Sequence, residues 1–129
     1  MIGYVGNIET TTEQNSFFRQ VIYTGKHAQL VVMCLKPSEE IGMEVHDTVD
    51  QFFRIEEGEG KVIMNGEENI FSAGFGIIVP AGTEHNIINT SQTEELKLYT
   101  IYSPPNHPDG TIHKTKEEAM KAEEEEHKI

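Results

Sequence analysis

The chain has 129 residues and a formal net charge of −12 at pH 7, from 10 Lys and Arg against 22 Asp and Glu. This length suits one domain with a single core. The acidic balance, without a basic stripe, argues against a nucleic-acid partner, and no apolar run approaches the roughly eighteen residues that a membrane span needs. A single cysteine, Cys34, cannot form an internal disulfide, and the first residues do not read as a signal peptide. We therefore expect a cytoplasmic protein that binds neither nucleic acid nor membrane.

The first two predicted strands, 17–23 and 28–35, flank the hairpin signal Thr24-Gly25-Lys26. The second of them is apolar on both faces from Leu30 to Leu35. One face of this strand fills the core, and the other needs a cover, for which a second subunit is the simplest source. The pattern therefore predicts a homodimer.

The middle of the chain is a succession of short strands separated by turn signals. Asn65-Gly66 is the strongest hairpin signal. Because no helix separates these strands, they predict an antiparallel sandwich or barrel. The further predicted strands are 42–46, 50–57, 60–65, 68–71, 76–79, 85–90 and 95–102.

The C-terminal part begins with a loop and ends with one helix. Three prolines and a glycine make the segment Tyr102–His113 a rigid surface loop. Its His107 and His113 either reach the barrel mouth as acid or base or hydrogen-bond locally. Thr115 has capping-box spacing to Glu118 and opens an acidic, solvated helix, the only helix predicted in the chain. We assign residues 1–113 to the barrel with its N-terminal strands and 114–129 to this helix of the same domain.

The most specific motif runs from Gly74 to Asn89 and reads G-x5-P-x-G-x2-H-x3-N. Proline and glycine at Pro80 and Gly82 favour a tight turn between two strands, and His85 opens the second. This spacing resembles the second signature motif of the cupin superfamily at all five of its anchors. The resemblance implies an all-β fold, the antiparallel double-stranded β-helix or jelly-roll barrel, with His85 as a metal ligand inside it.

The first cupin motif is present in altered form upstream. When its last glycine is placed on Gly58, its second histidine falls on His46 and its leading glycine on Ser38. Its first histidine then falls on Glu44 and its glutamate on Gln51. The resemblance thus implies Glu44, His46, Gln51 and His85 as the ligand set.

Strand parity tests which of these side chains point inward. Gln51 shares a face with Phe53 and Ile55, whereas Asp50 and Arg54 share the charged face. A turn or bulge at 47–48 is needed to bring His46 and Gln51 to the same side. Asp50 is the alternative ligand if the chain has no such turn or bulge.

Two imidazoles, a carboxylate and an amide oxygen suit a divalent ion such as Zn, Fe, Mn, Ni or Co. Four protein ligands leave one or two positions open for water or substrate, which is typical of catalytic sites. The alternative is a barrel that has lost its metal and binds a small ligand through polar contacts alone.

The chain resembles small single-domain bacterial cupins that are labelled mannose-6-phosphate isomerase-like. This implies an isomerase for a sugar or sugar phosphate, although the chain lacks the additional helical domain and the Lys/Arg cluster of the larger enzymes. The main alternative is an Fe(II) dioxygenase, since two histidines and one carboxylate are the ligands used for O₂ chemistry. A third possibility is a non-enzymatic sensor of a small acid or sugar.

Overall fold

The computed structural model of the protein describes residues 2–127. Two short helices enclose a run of strands in the sequence. In chain order the elements are α1 (Ile8–Gln14), β1 (Arg19–Thr24), β2 (Gln29–Leu35), β3 (Asp50–Glu57), β4 (Glu59–Met64), β5 (Glu67–Ser72), β6 (Gly76–Val79), β7 (His85–Asn89), β8 (Leu96–Ser103), β9 (Ile112–His113) and α2 (Lys116–His127).

The strands form two sheets, in the orders β6-β3-β8-β2-β1-β9 and β5-β4-β7, and neighbouring strands are antiparallel throughout. The larger sheet contributes Phe53 and Leu98 to the core, and the smaller sheet contributes Val62 and Ile87. Each of these side chains is almost completely buried. The predicted all-β antiparallel architecture is therefore confirmed.

The turns follow the local sequence signals closely. Asn65 and Gly66 have φ values of 49° and 83° between β4 and β5, as a two-residue hairpin turn requires. The predicted strand at 42–46 is reduced to one bridge, between Glu44 and His85. Gly42 has a φ of 109°, and its N–H donates to the Asn86 side chain at 2.9 Å. The backbone therefore leaves the strand conformation at Gly42, and its N–H bonds to a side chain instead of a neighbouring strand.

Two elements were not predicted. The expectation of a single helix is wrong, because α1 precedes the barrel and is capped by the Asn7 side chain, which accepts from the Thr10 N–H at 3.1 Å. The expectation of a loop throughout Tyr102–His113 is also wrong at its end. Ile112–His113 form β9, which pairs with β1. Neither element has an apolar periodicity of its own, so each depends on contacts with distant parts of the chain.

The N-terminal helix explains the doubly apolar strand. Every residue of β2 is buried, and α1 packs against β2, β3 and β8. On this outer face Lys97 lies opposite Cys34, and its ammonium group donates to the Glu13 carbonyl of α1. The interpretation that β2 needs a second subunit as its cover is therefore wrong. The homodimer remains a prediction, without this support.

The acidic C-terminal helix lies within the predicted range 114–129, of which residues 128–129 fall outside the described part. Thr115 Oγ1 accepts from the Glu118 N–H at 3.1 Å, and the Glu118 carboxylate accepts from the Lys114 N–H at 2.8 Å. Ala119 is buried and anchors the helix to the core. Between residues 2 and 127, no helix has both the length and the apolar character to cross a membrane.

Candidate metal centre

The site is built on a backbone pairing between the segment before β3 and the start of β7. Glu44 and His85 exchange two hydrogen bonds of 2.9 Å, so they lie directly opposite each other in an antiparallel pair. Side chains of such a pair project to the same side, and His46 shares that side because it lies two residues beyond Glu44. The His46 carbonyl accepts from the Gly82 N–H at 2.9 Å, which joins it to the turn before β7.

The three side chains bring their donor atoms together. One ligand atom from each of Glu44, His46 and His85 lies within 4.8 Å of the others. His46 Nε2 is 3.1 Å from Glu44 Oε2, and the centroids of the two imidazole rings are 5.4 Å apart. These residues therefore form a possible metal site. The sequence motifs predicted all three.

The tautomer of the neutral His85 ring is set by the backbone. Its Nδ1 is 2.9 Å from the Thr83 carbonyl oxygen, which can only accept. Nδ1 therefore carries a hydrogen, and in the neutral ring Nε2 keeps its lone pair for a ligand. A backbone carbonyl that fixes the tautomer in this way is a common support for metal-binding histidines.

Gln51 lies inside the barrel, as its parity with Phe53 and Ile55 predicted. The residue is 2% exposed, and its Nε2 donates to Thr100 Oγ1 at 3.0 Å. Its Oε1 is buried without a hydrogen-bond partner. The turn that reorients the chain between His46 and Gln51 is observed at 47–48. The structure therefore leaves an unsatisfied amide oxygen in the interior.

Asp50 occupies a different position. Its side chain is exposed, and its Oδ1 accepts from the Ala81 N–H at 2.8 Å. This contact holds the turn at Pro80–Gly82 from outside the barrel. The role of Asp50 is therefore to position the loop that leads to His85, and it does not join the Glu44, His46 and His85 group.

A cavity of about 380 Å³ opens onto Glu44 and His46. His107 and His113 line it, as does Arg19. Both loop histidines therefore reach the mouth of the barrel. His107 Nε2 also lies 3.2 Å from the Tyr102 hydroxyl, whose ring makes an edge contact with His46 at a centroid distance of 5.9 Å.

Charges and burial in the cavity determine which groups are ionised. Burial opposes the ionisation of Glu44, but the hydrogen bond from His46 and the positive charge of Arg19 outweigh it, so the pKa of Glu44 is lowered. Burial lowers the pKa of His107 to about 3, and the charge of Arg19 adds to this effect. Burial also raises the pKa of Tyr102. At neutral pH the cavity is therefore lined by an anionic Glu44 and a neutral His107, and Tyr102, which His107 contacts, keeps its hydroxyl proton.

Arg19 is the cavity residue that sequence reasoning missed. It lies on the buried face of β1, where it is 1% exposed, and it shares this face with the buried Val21. A lone arginine on the apolar face of a strand is the signal that could have identified it.

Comparison with known proteins places the fold and the motifs in one family. A family model described as a cupin domain matches residues 31–102. The protein YrkC of Bacillus subtilis is 50% identical over 128 residues, which cover 94% of this chain and 68% of YrkC. A protein of Acanthamoeba polyphaga mimivirus is 47% identical, covering 84% of this chain and 70% of its own length. The crystal structure of BH2720 from Bacillus halodurans has a TM-score of 0.89 at 44% identity, covering 92% of this chain and 93% of that one. The chain therefore belongs to the cupin domain family.

Proposed function

We propose that this cupin binds one divalent metal ion through Glu44, His46, Gln51 and His85 and acts on a small polar substrate held beside it. The observation that carries the proposal is the convergence of a carboxylate and two imidazoles within 4.8 Å at a cavity. Two of the three residues, Glu44 and His46, line this cavity, where a small molecule can reach them.

The amide oxygen of Gln51 is buried and unpaired, which supports Gln51 as the fourth ligand. An unsatisfied buried polar atom costs on the order of 1–3 kcal/mol. A cation bound to Oε1 would remove this cost, whereas Nε2 already has its partner in Thr100. The residue therefore fits the neutral, weakest member of the ligand set.

The donor set indicates the kind of ion and the chemistry. Imidazole nitrogens with carboxylate and amide oxygens, and no thiolate, suit Zn, Fe(II), Mn, Ni or Co. When bound, such an ion polarises a carbonyl or hydroxyl oxygen of the substrate. The four residues hold it in place, and the ionised Glu44 supplies the one negative charge among them.

The reaction class that we propose is isomerisation, of the kind suggested by mannose-6-phosphate isomerase-like cupins. The same residue types, one glutamate, one glutamine and two histidines, serve as ligands in zinc-dependent phosphomannose isomerases. Isomerisation moves protons between neighbouring atoms of the substrate. His107 lines the cavity, stays neutral at pH 7 and lies 3.2 Å from the Tyr102 hydroxyl, so it offers a polar group beside the substrate.

A second candidate is an Fe(II) dioxygenase. It is favoured by the composition of the central group, since Glu44, His46 and His85 are two histidines and one carboxylate. In this case Gln51 would be an additional, weaker donor. A non-enzymatic cupin that only binds a small ligand is the remaining alternative.

Metal analysis and oxygen uptake distinguish these candidates. The protein is purified without chelators and without a histidine tag, and its metal content is measured per chain. The isomerase predicts Zn, Mn or Co and turnover of hydroxy-carbonyl compounds in the absence of oxygen. Substrate-dependent oxygen consumption by the Fe(II) form would contradict the isomerase and support the dioxygenase. Ligand binding without turnover would support the non-enzymatic binding protein.

A further inference from the structure

Arg19 is a buried cation in the wall of the cavity. Its residue is 1% exposed, and β1 places it directly opposite His113 of β9. One terminal nitrogen, NH1, lies 3.3 Å from His113 Nδ1, while Nε is buried without a hydrogen-bond partner. Because a guanidinium can only donate, His113 must accept at Nδ1. The arginine therefore lines the cavity as a charged group, and its buried Nε has no hydrogen-bond partner among the described residues.

Among the described residues, the charge of Arg19 is partly compensated by the anionic Glu44 in the same cavity and by the ring of Phe18, whose centroid lies 5.3 Å from Cζ. Glu123 Oε1 of α2 lies 3.7 Å from NH1, which is longer than a direct hydrogen bond. The Glu123 side chain is 45% exposed, so solvent screens this ion pair. A buried charge is costly unless it is paired and hydrogen-bonded. A ligand that brings an anion to Arg19 would add direct, charge-assisted hydrogen bonds to these longer contacts.

Among the described residues that line this cavity, Arg19 is the one lysine or arginine. The cavity therefore has the Glu44 and His46 donors of the candidate metal centre in one part of its wall and a guanidinium in another. We propose that Arg19 binds the carboxylate of a small hydroxy or keto acid, whose other oxygen reaches the metal. This proposal rests on the proposed function and specifies its substrate class.

A carboxylate fits this position better than a phosphate. A single guanidinium matches the two oxygens of one carboxylate in a planar pair, whereas a phosphate dianion has more charge and more acceptor oxygens to satisfy. Glu123 already brings a carboxylate to within 3.7 Å of NH1, so a group of this shape has access to it. The same glutamate would repel a dianion more strongly than a monoanion. The volume of about 380 Å³ suits a small molecule of this kind.

The experiment measures binding of lactate by calorimetry to the zinc-loaded protein, with lactamide as the neutral analogue and inorganic phosphate as the rival anion. Lactate should bind at least about tenfold more tightly than lactamide or phosphate. Arg19→Gln should weaken lactate binding by about 10- to 100-fold, as expected for the loss of charge-assisted hydrogen bonds. Glu123→Gln should strengthen it several-fold because a competing carboxylate is removed. The matched control is Arg54→Gln, since Arg54 pairs with Glu56 at 3.0 Å on the charged face of β3 and should leave binding unchanged.

Equal lactate affinity in the wild type and Arg19→Gln would overturn the proposal, as would tighter binding of phosphate or no binding of lactate. If Arg19→Gln does not fold, Arg19→Lys keeps the charge without the planar fork and should still weaken binding. An unchanged affinity in both Arg19→Lys and Glu123→Gln would also overturn it. Zinc content is measured in every variant. A wild type that holds no metal defeats the proposed function, whereas intact zinc with lactate binding independent of Arg19 defeats only the carboxylate site.

Discussion

Glu44 and His85 are joined by two reciprocal backbone hydrogen bonds of 2.9 Å, although they are 41 positions apart in the sequence. This pairing holds a loop residue and a strand residue face to face, so the carboxylate and imidazole begin from fixed backbone positions. The Thr83 carbonyl then fixes the His85 ring, and the Gly82 N–H fixes the His46 backbone. The Glu44, His46 and His85 group is therefore organised by the backbone.

Replacement of Gln51 separates its effect on the stability of the fold from its proposed role as a metal ligand. Gln51→Met has a similar volume and removes the buried, unpaired Oε1. We expect the free energy of unfolding of the metal-free protein to change by less than about 1 kcal/mol, because the loss of the unsatisfied Oε1 is offset by the loss of the Nε2 hydrogen bond to the buried Thr100 Oγ1, while metal affinity falls. Urea unfolding of metal-free protein and zinc titration measure the two effects. Asp50→Asn is the control, because asparagine keeps the exposed Oδ1 that accepts from the Ala81 N–H, and it should leave zinc affinity unchanged. Wild-type zinc affinity in Gln51→Met would contradict the assignment of Gln51 as a ligand.

The buried His107 should make stability depend on pH. Its pKa is about 3 in the folded chain and near 6.5 when it is unperturbed, so between these values the unfolded chain binds a proton that the folded chain does not. The contribution of this group to the free energy of unfolding therefore falls as the pH is lowered from 6.5 towards 3. Its slope should be about 1 kcal/mol per pH unit. His107→Gln should be less stable than the wild type at pH 7, where it lacks the bond to Tyr102, and the difference should shrink or reverse by pH 4.

Unfolding in urea across this pH range provides the measurement. His27→Gln is the matched control, because His27 is exposed in the β1–β2 hairpin. The curve of this control should run parallel to that of the wild type. A His107→Gln curve that is also parallel would show that His107 titrates normally in the folded protein.

Cys34 should be inert in the native protein. Burial raises its pKa to about 12, and its thiol donates a hydrogen bond to Glu95 Oε2 at 3.3 Å. The reactive thiolate is therefore scarce at pH 8, and α1 covers the face of β2 that carries the residue. Mass spectrometry after maleimide treatment should find no adduct in native protein and one in urea.

Deletion of residues 1–14 tests whether α1 protects Cys34 from solvent. This deletion removes α1, so it should lower the melting temperature and make Cys34 react without denaturant. Thr10→Ala, at an exposed position of the same helix, should leave the thiol protected. Rapid labelling of the intact wild type would contradict the buried position of Cys34.

The sequence revealed those parts of the fold and site that local pattern determines. His85 was identified from a motif of sixteen residues, and the interior position of Gln51 followed from the alternation of β3. Hairpins at 24–27 and 65–66 were likewise readable because their turn residues act locally. In each case the relevant neighbours lie within a few positions along the chain.

Features that depend on contacts between distant residues could not be predicted from the sequence. The cover of β2 comes from α1, a seven-residue helix without an apolar stripe, so the apolar outer face of β2 was attributed to a second subunit. Arg19 faces the cavity because β9 pairs with β1 across more than ninety positions of sequence. No local periodicity announces a two-residue strand, and its role appears only once the chain is folded.

The central claim is that Glu44, His46, Gln51 and His85 hold one divalent ion, and metal content in histidine variants tests it most directly. His46→Ala and His85→Ala remove imidazole ligands, and His27→Ala removes an exposed imidazole far from the group in sequence. Each protein is incubated with zinc, passed through a desalting column and measured for zinc per chain, and its melting temperature is recorded with and without chelator. We expect about one zinc per chain in the wild type and His27→Ala, almost none in the other two, and a melting temperature that chelation lowers only in the first pair. Equal stoichiometric zinc in the wild type and in the His46→Ala/His85→Ala double variant would contradict the assignment of the site.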